Sequence, residues 1–252
     1  MNTTNDTPIK IEGACTVGQI AVDHPGTVRV FQRLGVDFCC GGRARLDAAC
    51  EKKGLSLEQT LTELQEACNE RQPLDDAITS GTLEGLVTHI VQTHHVFTRD
   101  ELLRIEPLLR KVIGVHGDRH RELTEIGRLF EAMAEELRMH LVKEERILFP
   151  YIVSLEQSQH GTTHLESSCF GTVRNPVRMM MMEHDSAGEA LARMRSLSNG
   201  YAPPADACGS FRALYHGLSE LEVDLHRHIH LENNVLFPRA VALEEALAPE
   251  AV

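Results

Sequence analysis

His228-Ile229-His230-Leu231-Glu232-Asn233-Asn234-Val235-Leu236-Phe237-Pro238 is anticipated 88 residues earlier by His140-Leu141-Val142-Lys143-Glu144-Glu145-Arg146-Ile147-Leu148-Phe149-Pro150. Both stretches read H-x-x-x-E-x-x-x-L-F-P. Four residues of α-helix advance about 400° and about 6 Å, so the His and Glu of each phrase point the same way, one turn apart. Each pair also lies inside an apolar stripe. Ile126, Phe130, Met133, Leu137, Leu148 and Tyr151 share the register of the first pair, and Phe211, Leu214, Leu218, Leu221, Leu225 and Leu236 that of the second. One exposed His-Glu pair would be a helix contact worth a few tenths of a kcal/mol. Two copies inside apolar stripes place two carboxylates in the core, where an unpaired one costs roughly several kcal/mol. Each phrase therefore predicts half of a metal site.

Working outward, a second apolar-periodic segment precedes each phrase. The spacing predicts long helices over 82–113, 119–155, 176–199 and 206–238, with Gly114 stopping the first and Pro150 interrupting the second. A loop rich in Ser, Thr, His and Gly spans 156–175, and 241–252 reads as an acidic tail. One His on each preceding helix, His95 and His184, repeats at a shift of 89, beside the 88 of the phrases. On a helical wheel His94 lies nearer the stripe centre than His95, but the repeat aligns His95 with His184 and Leu102 with Leu191; the alignment is preferred. Two related helix pairs make an antiparallel four-helix bundle over 80–240 with ligands at mid-height.

Residues 1–72 read as a separate small helical domain. Thr16-Val17-Gly18-Gln19 and Ser56-Leu57-Glu58-Gln59 have capping-box form, and Val28, Phe31 and Leu34 suggest a further helix stopped by Gly35. Asp37-Phe38-Cys39-Cys40-Gly41-Gly42 is a turn by its glycines, and Asn69–Asp76 is a polar, Pro-containing linker. The absence of Trp, only three Tyr, and plentiful Leu, Ala, Glu and Arg favour an all-α protein. A formal charge of -12 speaks against nucleic acid and against an anionic membrane surface. The first twenty residues lack the basic start and apolar run of a signal peptide, and no apolar stretch approaches the roughly 18 residues of a membrane span. Seven Cys without regular spacing fit thiols in a reducing compartment. A cytoplasmic protein is expected.

The candidate ligands are His95, His140, Glu144, His184, His228 and Glu232. Four imidazoles and two carboxylates suit first-row transition metals. The repeat supplies two equivalent half-sites, which two metals roughly 3.5–4 Å apart would satisfy, with the glutamates bridging. If two octahedral irons share both glutamates and an oxo or hydroxo bridge, and take two histidines each, one position on each stays open. That is an exchange site for O2, peroxide or NO.

These motifs, together with Glu183-His-Asp-Ser-Ala-Gly-Glu189 and the Asp37–Gly42 stretch, resemble the iron-sulfur cluster repair di-iron proteins, the RIC family, over about residues 15–240. The resemblance implies a small helical domain followed by a haemerythrin-like bundle in the cytosol. It implies repair of iron-sulfur clusters damaged by nitric oxide or oxidants, and reduction of NO to N2O at the di-iron site. It implies His95, His140, His184 and His228 as terminal ligands, and Glu144 and Glu232 as bridges on which catalysis depends. Glu136 and Glu183 match acidic positions of the family, which implies a place along the route to the metals. His94 stands where a Tyr occurs in relatives. Adjacent Cys39 and Cys40 would form a disulfide only through a strained eight-membered ring; a redox, cluster-contacting or NO-related role, in cis or across a homodimer, is set against a turn with incidental thiols. The competing function is a haemerythrin-like O2 or NO sensor without turnover.

Overall fold

The computed structural model describes residues 11–69, 81–159, 161 and 168–247. The expected linker lies outside them from residue 70 on, as do 160 and 162–167 of the expected loop. The protein is all-α. Among the described residues no strand forms, and one antiparallel bridge pairs Thr16 with Arg45. The chain divides into two compact units, Met1–Ser80 and Gly81–Val252.

In the first unit α1 (Val17–Asp23) starts at Thr16, whose hydroxyl accepts the Gln19 N–H at 3.3 Å. A 3-10 turn, Pro25–Thr27, leads into α2 (Val28–Leu34), which ends at Gly35 in the left-handed conformation, φ 65°. The helix α3 (Leu46–Lys53) has no strong apolar period and was not legible in the sequence; α4 (Leu57–Asn69) follows, with Ser56 accepting the Gln59 N–H. Val17, Ile20, Phe31, Phe38, Leu46 and Leu64 form the core, with the Phe31 and Phe38 rings stacked. The loop after Phe38 closes over the start of α1: the Val17 and Gly18 N–H groups donate to the carbonyls of Ala44 and Gly42. These are donors that a helix N-terminus leaves unpaired.

The second unit is a four-helix bundle. Its first long helix comprises α5 (Leu83–His89), a π-helical turn Ile90–His95 and α6 (Val96–His116). The next comprises α7 (Glu122–Lys143), a π turn Glu144–Leu148 and α8 (Phe149–Gln159). The third is α9 (Arg174–Leu197), and the last comprises α10 (Gly209–His230), a π turn Leu231–Leu236 and α11 (Phe237–Leu247). Each helix packs on the next, and α10 closes the ring against α6. Leu102, Ile105, Phe130, Leu191, Phe211 and Leu214 fill the core at one end of the bundle.

Three expectations change. Gly114 does not stop the first helix, which runs to His116. Pro150 does not interrupt the second. There the preceding turn widens so that the Phe149 N–H reaches back five residues to the Glu144 carbonyl, and the Phe237 N–H reaches Glu232 in the same way before Pro238. A proline lacks the donor that a regular α-turn would require, and a π turn already displaces the ladder at that place. The extra residue also rotates the helix beyond it, so Ile152 rather than Tyr151 is buried. Finally, the last helix continues beyond 238 to Leu247, taking in the first part of the stretch read as a tail.

The continuation has a purpose in the fold. Glu244 accepts the Val173 N–H at 2.9 and 3.0 Å, along with the hydroxyls of Thr172 and Tyr151, and so caps the start of α9. Glu156, 88 residues earlier, accepts the Leu83 and Glu84 N–H groups at 2.8 and 2.9 Å and caps α5. The repeat therefore extends beyond the H-x-x-x-E phrases.

Candidate metal centre

The apolar stripes bring His95, His140, Glu144, His184, His228 and Glu232 together between the four long helices, each of them at most 2% exposed. Two groups of donors form. One is His95, Glu144, His228 and Glu232; the other is His140, Glu144, His184 and Glu232, with the donor atoms of each group within 4.8 Å of one another. Both carboxylates belong to both groups. Across the cluster the Nε2 atoms of His95 and His228 are 3.1 Å apart, and those of His140 and His184 3.0 Å. Glu232 Oε1 lies 2.9 Å from His228 Nε2 and Oε2 3.1 Å from His184 Nε2. Glu144 lies 3.3 Å from His140 Nε2 and 3.4 Å from His95 Nε2.

This crowding fits a cation. Neither oxygen of Glu144 nor Oε2 of Glu232 has an aligned hydrogen bond, although all three are fully enclosed. Buried carboxylate oxygens facing imidazole nitrogens that face one another are poor hydrogen-bond partners and good metal ligands, and the nitrogen-oxygen donor set suits iron. Without metal the cluster balances itself by sharing protons. Burial alone would lower the His95 and His140 pKa values, but Glu144 and Glu232, joined at His140 by Glu183, outweigh it, raising His95 to about 9 and His140 to about 10. Burial pushes Glu144 and Glu232 up, and the surrounding imidazoles more than reverse this, so both stay below the usual carboxylate range. His228 is lowered by burial, which the neighbouring Glu232 does not offset.

A second tier of groups sets the ring orientations. His95 Nδ1 donates to Glu145 at 2.7 Å, His140 Nδ1 to Glu183 at 2.8 Å and His184 Nδ1 to the Asn233 carbonyl oxygen at 2.9 Å. In that tautomer each Nε2 lone pair faces the cluster. Glu145 is shared with Arg99, and Glu183 with Lys143. His140 holds Glu183 ionised, down to about 2. Glu145 and Asn233 escaped the sequence reading, although each directly follows a clustered glutamate and the two are 88 apart. The L-F-P motif finds its meaning here too: Phe149 stacks on His95 with ring centroids 5.6 Å apart, and Phe237 on His184 at 6.1 Å.

Of the remaining candidates, His94 is buried outside both donor groups and bonds Asp224 at 2.9 Å. Glu183 stands behind His140, as described. Glu136 is exposed and accepts the Ser186 hydroxyl at 3.2 Å. Cys39 and Cys40 lie in the first unit, the former buried and the latter half-buried, where Asp37 joins them in a third group of potential metal donors.

Comparison with known proteins agrees with this architecture. Residues 13–68 match a family described as a Domain of Unknown function (DUF542), and residues 86–240 match the Hemerythrin HHE cation binding domain. A probable iron-sulfur cluster repair protein of Haemophilus influenzae is 38% identical, covering 89% of this chain and 96% of the relative. The iron-sulfur cluster repair proteins YtfE of Cronobacter sakazakii and Escherichia coli are each 35% identical, over 91% and 90% of this chain and 97% of each relative. With a haemerythrin domain behind a small helical one, and with this similarity along nearly its whole length, the chain belongs to the iron-sulfur cluster repair protein family.

Proposed function

We propose that the six clustered residues hold two non-haem iron ions, His95 and His228 on one and His140 and His184 on the other. Glu144 and Glu232 bridge them, with an oxo or hydroxo group as a further bridge. The site reduces NO to N2O in support of the repair of iron-sulfur proteins damaged by nitric oxide or oxidants, and iron released from it serves the same repair. The observation that carries this reading is that the two donor groups share both carboxylates. A single ion in either group would leave two buried histidines unused. Iron bound there supplies the two electrons by which two NO and two protons become N2O and water.

The chain contributes orientation, charge and exclusion of water. Glu145, Glu183 and Asn233 fix three imidazoles with their Nε2 atoms inward. The Phe149 and Phe237 rings stack on His95 and His184, and all six clustered residues are buried. Such a dry setting suits a small uncharged diatomic ligand such as NO or O2. A reducing cytoplasmic setting is supported by seven cysteines, none of them in a disulfide. Among the described residues no helix is long and apolar enough to cross a membrane.

Metal analysis with Mössbauer spectroscopy tests the first part. Two irons per chain in one coupled, oxo-bridged pair are expected, whereas zinc with no coupled iron pair overturns the assignment. Anaerobic addition of NO to the fully reduced protein tests the second part. N2O is expected from the natural protein and not from Glu144→Ala or Glu232→Ala; uptake of NO without release of N2O would leave the binding reading standing and remove turnover.

A further inference from the structure

The loop Asp37–Gly42 gathers a second set of metal-binding atoms, remote in type from the His/Glu cluster. Asp37 Oδ1 accepts the N–H groups of Cys39 at 3.2 Å and Cys40 at 3.0 Å, which folds the two cysteines back over the carboxylate. Cys39 Sγ then lies 3.5 Å from Asp37 Oδ1 and 3.8 Å from Cys40 Sγ. One oxygen and two sulfurs all stand within 4.8 Å of one another. Gly41 is part of the arrangement: a Cβ there would come 3.0 Å from Asp37 Oδ2, so a bare backbone leaves the carboxylate its room.

We infer that Asp37, Cys39 and Cys40 form a second metal site, taking one thiophilic divalent ion such as zinc or ferrous iron through two sulfurs and a carboxylate oxygen. Tetrahedral coordination with metal–sulfur bonds of about 2.3 Å separates two sulfurs by about 3.8 Å. The two sulfurs already stand at that distance. Three protein donors leave the fourth tetrahedral position open, on the side where Asp37 is exposed and Cys40 half-buried. Binding replaces two S–H bonds by two metal–sulfur bonds and releases two protons, with no change of oxidation state. The site is independent of the iron reading of the bundle.

Cobalt(II) added anaerobically to the full chain as purified is the test. A sulfur-to-cobalt charge-transfer band in the near ultraviolet and strong tetrahedral bands in the visible should saturate at one cobalt per chain, with about two protons released. Cobalt in a His/Glu site gives no sulfur band, so the bundle does not interfere. Cys39→Ser with Cys40→Ser should abolish the band. Asp37→Asn keeps an oxygen acceptor for the two N–H groups, and should retain the band while weakening binding about tenfold or more, since loss of even an outer partner costs that much. Zinc at equimolar level should displace the cobalt. Absence of the sulfur band, its survival in the double variant, or failure of zinc to displace cobalt overturns the assignment.

Discussion

His228 Nδ1 is buried and finds no hydrogen-bond partner among the described residues, whereas the other three clustered imidazoles are each held from behind. The repeat explains the difference. Glu183, which supports His140, aligns at a shift of 89 with His94, and His94 stacks flat on His228 with ring centroids 5.7 Å apart instead of bonding its nitrogen. A carboxylate behind an imidazole makes it a more basic ligand, and loss of such a partner typically costs about 10- to 100-fold in metal affinity. The ion between His95 and His228 should therefore leave first. A chelator chase of the loaded protein is expected to show two equal phases, whose rates converge in Glu183→Ala; a single phase in the natural protein would refute the asymmetry. Substitution separates the adjacent histidines as well. His95→Ala should lower iron content by at least one ion per chain, while His94→Ala should keep both. That choice was legible only in the repeat, because a wheel of 100° per residue points to His94. The π turn Ile90–His95 adds a residue that such a wheel does not contain, and with it both rings are buried.

At the scale of elements, three of the four long helices change to a π turn where they meet the cluster. Periodicity gave the helices and their apolar faces. It failed at Pro150 and beyond 238 because the sequence cue for a break, proline, coincides with a turn in which one α-helical bond is already displaced. It also failed at Leu46–Lys53, a short amphipathically weak helix bounded by Gly54 in the left-handed conformation, φ 67°. Capping by a distant side chain was equally hidden, since Glu244 and Val173 are far apart in sequence. Glu244→Ala should remove the acceptor for the Val173 N–H and the Thr172 and Tyr151 hydroxyls together. A lost cap costs about 1–2 kcal/mol, which at this chain length lowers the thermal midpoint by about 2–8 °C. Glu156→Ala should do the same at the start of α5. An unchanged midpoint in calorimetry for both variants would show that the two carboxylates carry no capping role.

For the whole molecule, the cluster ties stability to pH in opposite ways with and without metal. In the metal-free protein His95 and His140 have folded-state pKa values raised to about 9 and about 10, from about 6.5 in the unfolded chain. Their contribution is fully present below about 6.5 and is lost as pH rises through the raised values. Glu144 and Glu232 are depressed, so their contribution is present above the ordinary carboxylate range and is lost as pH falls through their lowered values. His228, lowered by burial, opposes the other two imidazoles in the acid direction only. Metal-free protein should thus be most stable in mildly acid solution, between about pH 5 and 6.5, and weaken toward pH 10. Metal requires neutral imidazoles and ionised carboxylates, so loading above pH 6.5 expels the protons that His95 and His140 retain, and affinity rises with pH. The thermal midpoint of the metal-free protein is therefore expected to fall between pH 6.5 and 9.5, while its gap to the iron-loaded protein widens. Comparing the two forms in the same buffers cancels titrations elsewhere on the surface. A gap that stays constant across this range would mean that the buried histidines do not carry the protons their surroundings assign to them.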